Sequence, residues 1–221
     1  LDHAIIEAGK SSLGDSLALG FRSPDSIADL QTMRFGFRFR NSIVHPSDIH
    51  FFSGAAIGLS SPVTLNGELQ GGVPHLVFRD MSVQTGSSNL RGRLEMDGLP
   101  DIHQTFIQAK LSNSALNLRD LGTMVPGPVR EKLHPLGTFR FQGNFLGFIN
   151  DFVATGKFNT ALGQVESDLN FKVDQQSFDR STYRGGLRLE QFQIGKLIGD
   201  TATFQQVSMS GKIQGKGLTV P

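Results

Sequence analysis

Apolar and polar residues alternate along most of this chain, the period-two pattern of strands with one dry face and one wet face. The clearest run is RFGFRFR, Arg34 to Arg40. Phe35, Phe37 and Phe39 share one parity and Arg34, Arg38 and Arg40 the other. Further runs cover Val63 to Gly71, Leu76 to Gln84, Leu90 to Met96, Phe106 to Leu111, Ala115 to Leu118, and most of Leu136 to Val173. Tyr183 to Leu189, Phe192 to Ile194 and Val207 to Ile213 follow, and residues 4–21 read as two strands around a Gly9-Lys10 turn. Short strands divided by Gly, Asn, Asp and Pro predict an all-β, almost wholly antiparallel protein. Helix is expected only at 24–33, capped by Ser23 or Asp25, with one helical turn after Pro128 in the Pro-Gly loop Met124 to Leu133. Asn41 to Pro62 reads as irregular.

The runs repeat. VTLNGELQG (Val63 to Gly71), FRFQGNFLG (Phe139 to Gly147) and VSMSGKIQG (Val207 to Gly215) share apolar and Gly positions. Thr85 corresponds to Thr160, Leu90 to Val165, Leu94 to Leu169 and Met96 to Phe171, a spacing of about 75 residues. Phe39-x-Asn41-Ser42 with Asp48-Ile49 corresponds to Leu111-x-Asn113-Ser114 with Asp120-Leu121, and Gly9-Lys10 aligns with Gly156-Lys157. The expected organisation is a partial unit at 1–30, repeat units at 31–105 and 106–186, and a partial unit at 187–221. Each unit would cover only its neighbours, so the apolar face runs continuously along the array.

Gly67, Gly71, Gly143, Gly147, Gly211 and Gly215 fall on the apolar parity. Glycine there lets a sheet bend, and missing side chains also leave room for a ligand against the backbone. Both readings point to a strongly curved, repetitive sheet. Its predicted lining is Phe35, Phe37, Phe39, Leu65, Leu69, Leu94, Met96, Phe139, Phe141, Phe145, Leu169, Phe171, Met209 and Ile213.

Composition sharpens this picture in two places. The 18 Phe against one Tyr and no Trp suit a face that stays dry. A net charge of +1 gives no global field to recruit nucleic acid or an anionic membrane. With no Cys, the chain fits either a reducing compartment or an export route that avoids cysteine. No segment approaches the ~20 apolar residues of a membrane helix. The chain starts mid-pattern without Met, which leads us to expect a piece of a longer protein, with room for an anchor or signal outside these residues.

Candidate chemistry is sparse. Gly14-Asp15-Ser16-Leu17 spells a hydrolase nucleophile block, but GKSS precedes it where an apolar strand is needed, and no Asp-x-x-His block follows. His45, Asp48 and His50 lack the spacing typical of zinc sites. No Gly-rich phosphate loop opens a helix. The Arg stripe at Arg34 to Arg40 opposes its aromatics, whereas a nucleic-acid site needs both on one face. We therefore expect no enzyme, no cofactor, no metal and no nucleic acid.

The order GTFRFQGNFLGFINDFVATGKFNTALG, then Tyr183-Arg184-Gly185 and LEQFQIGKLIGD, resembles the TamB family within the wider AsmA-like group of bacterial envelope proteins. The resemblance spans most of residues 30–217. It implies a taco-like β structure with a hydrophobic groove, anchored in the inner membrane and crossing the periplasm. It also implies phospholipid acyl chains as cargo and an outer-membrane barrel protein of the BamA/TamA type as partner, with barrel and membrane contacts lying outside this chain. Such proteins move phospholipid or support outer-membrane protein assembly without catalytic residues. The alternative is a structural β-repeat scaffold or adhesion platform with a closed core and no lipid.

Overall fold

The computed structural model describes residues 2–20, 34–48, 59, 61–122, 127–174 and 176–217. The alternating runs become twelve strands: β1 (Asp2–Ala8), β2 (Ser11–Gly20), β3 (Arg34–Val44), β4 (Val63–Gly72), β5 (His75–Thr85) and β6 (Ser88–Asp97). Then come β7 (Phe106–Asn117), β8 (Thr138–Phe148), β9 (Asp151–Thr160), β10 (Gly163–Lys172), β11 (Thr182–Gln193) and β12 (Gln206–Lys216). All pair antiparallel with their neighbours in sequence, forming one open meander edged by β1 and β12.

Two α-helices lie wholly within the described residues, α1 (Gly127–Leu133) and α2 (Ile194–Ile198), and residues 46–48 are helical as well. The first is a longer helix than the single turn expected after Pro128, and the second was not anticipated. The helix expected at 24–33 lies outside the described residues. No described helix is long and apolar enough to cross a membrane.

Strand boundaries differ from the sequence reading for one physical reason. Asn41, Asp80, Asn113 and Gln191 adopt left-handed φ of 48°, 47°, 46° and 49° inside β3, β5, β7 and β11. At each the register shifts. An extra residue in left-handed geometry is a β-bulge, which bends and twists the strand without ending it. Hence Phe106–Leu111 and Ala115–Asn117 belong to one strand, as do Tyr183–Leu189 and Phe192–Gln193, and Asn41 to Val44 extends β3 rather than opening a loop, whereas Leu118 falls in the following turn and Ile194, expected in a strand, opens α2.

The bulges anchor a repeated hydrogen-bonding device. Ser42, 2% exposed, accepts from the Gly14 N–H at 3.0 Å and donates to its carbonyl at 3.1 Å. Ser114, 1% exposed, accepts from the Arg91 N–H at 3.0 Å and lies 3.4 Å from its carbonyl. Further along, Asp48 Oδ2 accepts from the Lys10 N–H at 2.8 Å and the Ser11 hydroxyl at 2.6 Å. Asp120 Oδ2 does the same for Ser87 N–H at 2.9 Å and Ser88 hydroxyl at 2.7 Å.

The hairpin turn equivalent to Gly9 is thus Gly86, both with left-handed φ, each capped by the following loop's aspartate. This corrects the alignment of Gly9-Lys10 with Gly156-Lys157, which lie inside β9. In the third copy the polar device is replaced by an apolar plug. Leu162, Leu189 and Phe192 are buried, with Leu136, Ile194 and Leu197 from the helical connections packed against them.

Candidate functional site

Register, read strand by strand, sorts the side chains into rows that cross the sheet. Phe35, Gly71, Leu76, Met96, Ile107, Gly147, Phe152, Phe171, Tyr183 and Gly215 are successive partners from β3 to β12. The next row on the same face is Phe37, Leu69, Phe78, Leu94, Ala109, Phe145, Ala154, Leu169, Gly185 and Ile213. Phe39 pairs with Gly67, and Gly143 and Gly211 stand in the corresponding row of β8 and β12. Leu65, Phe141 and Met209 lie one row further, and Phe139 pairs with Leu116 beyond them.

All fourteen predicted lining residues therefore share one face, and the three GxφxG copies occupy β4, β8 and β12 in the same rows. Leu169 is buried and Met209 is exposed at 44%; the other twelve are half-buried. A half-buried aromatic has neighbours within its sheet and keeps part of its surface accessible. Each such side chain retains on the order of 1 kcal/mol of further burial.

Rings knit this face together. Phe35, Phe37, Phe39 and Phe78 form one chain of contacts with centroids 5.5 to 5.9 Å apart. Phe145, Phe152, Phe171 and Tyr183 form another, at 4.7, 5.2 and 6.4 Å. Phe158 stacks on Phe141 at 5.7 Å. Phe78, Phe152, Phe158 and Tyr183 were missed as lining residues, although each falls on the apolar parity of its own strand. Aromatic pairs of this geometry add about 0.5–1.5 kcal/mol beyond area burial.

The glycines divide. At Gly67, φ is +122° and an added Cβ would lie 2.6 Å from the Arg79 carbonyl oxygen and 2.9 Å from the Phe78 ring. At Gly215 it would run into the Tyr183 phenol. The space above these two is filled by a neighbour's ring, which corrects the reading that it stands open for a ligand. At Gly71, Gly143 and Gly147 a Cβ would collide with the carbonyl oxygens of His75, Thr155 and Asp151. Gly211 has nothing within 4 Å, so close approach does not account for it.

The remaining candidates sit elsewhere. Ser16 stands within β2 opposite Arg38. Asp48 is engaged by the Lys10–Ser11 hairpin, Ser11 above all, and these hydrogen bonds hold its carboxyl below the usual 3.8. His50 lies outside the described residues.

Fold and face together define an open antiparallel β-repeat protein with one apolar and one charged surface. No family model, no curated protein and no solved structure matches the chain.

Proposed function

We propose that this chain is a non-enzymatic segment of a periplasm-spanning envelope protein anchored in the inner membrane. Its apolar face carries phospholipid acyl chains between inner and outer membrane, and its flanks engage a barrel protein in outer-membrane protein assembly. The observation that supports this reading is the continuous apolar face, ten strands wide, most of whose Phe and Leu side chains stay half-buried within one open sheet, with Leu76, Phe78 and Leu169 buried. Such a wall offers apolar contact with few polar anchors, so acyl chains would bind weakly at any one point and could slide. The order of motifs that resembles the TamB family agrees with it.

The test is a photo-crosslinking amino acid placed at Phe141 and, as control, at Lys157 on the opposite face. In cells of a bacterium carrying the protein, Phe141 should yield phospholipid adducts and Lys157 none. Adducts at neither position would overturn the lipid reading and favour a scaffold.

A further inference from the structure

The face opposite the apolar wall carries a charge arrangement that works against folding. Arg93 on β6 stands directly opposite Lys110 on β7, and like charges so placed destabilise a sheet. Arg79 lies beside them on β5 at the Asp80 bulge, opposite a Glu68 that is engaged by Arg38, and Arg91 is two residues before Arg93 on the same face. All four are exposed. Arg93 meets Glu95 at 2.5 Å. Among the described residues Arg79, Arg91 and Lys110 have no ion-pair partner.

Beginning at Lys110, a trench of about 750 Å³ crosses this face. One row of its lining runs Lys110, Asn144, Thr155, Asp168, Gly186 and Lys212, with Gln142, Lys157, Glu166, Arg188 and Ser210 in a second row beside it. Five interstrand steps make it about 24 Å long, the reach of about seven extended residues. The trench is lined by no aromatic side chain, so single-stranded nucleic acid finds no stacking platform. Asn144 and Thr155, joined at 3.3 Å, still offer an amide oxygen and a hydroxyl to a peptide backbone.

We propose that this face binds an extended acidic segment of a partner polypeptide. Its carboxylates pair with Arg79, Arg91, Arg93 and Lys110, and its backbone lies along the trench. Glu166 and Asp168 on β10, three strands from Lys110, oppose a carboxylate at mid-trench, and Lys212 is a single cation at the far end against four over β5 to β7, so the acidic end sits over β5 to β7. The proposal does not depend on lipid contact, which would use the other face.

A fluorescein-labelled decapeptide of four Glu followed by six Ser or Thr tests this by anisotropy on the 221-residue chain. Lys110→Glu should weaken binding at least about fivefold, and Arg91→Glu should do the same. Lys216→Glu, a distant charge reversal on β12, should leave affinity unchanged. The thermal midpoint of Lys110→Glu should stay level or rise, because the like-charge pair becomes an opposite-charge one. Unchanged affinity in both Lys110→Glu and Arg91→Glu would overturn the proposal. So would tighter binding to phosphatidylglycerol vesicles or to an oligonucleotide than to the peptide.

Discussion

Phe39 and Phe78 meet edge-on at 5.9 Å although they stand on β3 and β5, with β4 between them. The contact exists because β4 presents Gly67 at that point, directly opposite Phe39 and beneath the Phe78 ring. A glycine that weakens its own strand is thus covered by an aromatic from the next, a compensation known from designed and natural sheets.

Gly67→Val should therefore cost about 3 kcal/mol, combining the strained φ with displacement of the Phe78 ring. Gly211→Val, at a position with nothing within 4 Å, should change stability by no more than about 0.5 kcal/mol. Urea unfolding of both variants decides. Equal losses would refute the distinction between the two glycines.

The buried bulge hydroxyls give a second expectation. Ser42→Ala leaves the Gly14 amide without its partner in a site 2% exposed, and Ser114→Ala does the same to Arg91. Each should destabilise by about 1–3 kcal/mol. Hydrogen exchange should show faster opening at Gly14 in the first variant and at Arg91 in the second, not the reverse.

Acid should loosen the β1–β2 hairpin through Asp48. Donation by the Ser11 hydroxyl, then by the Lys10, Ser47 and Ser11 donors, outweighs partial burial and lowers its folded pKa below 3.8. A depressed carboxylate stabilises the fold above its unfolded value, and that contribution disappears as pH falls through the folded one. Protection of the Lys10 amide, corrected for intrinsic exchange, should fall below about pH 4. Asp48→Asn should remove that dependence; an unaltered acid limb would exclude Asp48 as its source. Asp174 and Asp200 are lowered in the same direction, chiefly by backbone N–H groups of Ser177 and Thr203, so global acid unfolding will persist in the variant.

The apolar plug should dominate local stability at the β10–β12 end. Phe192, 3% exposed, packs with Leu162 and Leu189, whereas Met209 is 44% exposed. Phe192→Ala should cost about 3–5 kcal/mol, and Met209→Ala less than about 1 kcal/mol. Calorimetric midpoints will show whether this order holds.

Much of the fold follows from period two alone. Strict alternation in RFGFRFR, VTLNGELQG and FRFQGNFLG, and in the runs that carry Leu94, Met96, Leu169, Phe171, Met209 and Ile213, assigned the predicted lining residues to a common face, because successive side chains of a strand point to opposite sides whatever the strand pairs with. The repeat spacing likewise placed Leu94 with Leu169 and Met96 with Phe171, which register sets in shared rows. The clearest failures came where alternation slips. Phe39 to Ser42, Phe78 to Met81, Leu111 to Ser114 and Leu189 to Phe192 are three-residue steps that keep the same face only because the intervening Asn, Asp or Gln turns left-handed.

The sequence by itself determined which residues form the apolar face, since that needs only local backbone geometry. Tertiary structure decided what covers each glycine, which aspartate caps which hairpin, and that Arg93 faces Lys110. Those depend on register between strands, which is set by bulges and turns whose effect reaches residues far away along the chain.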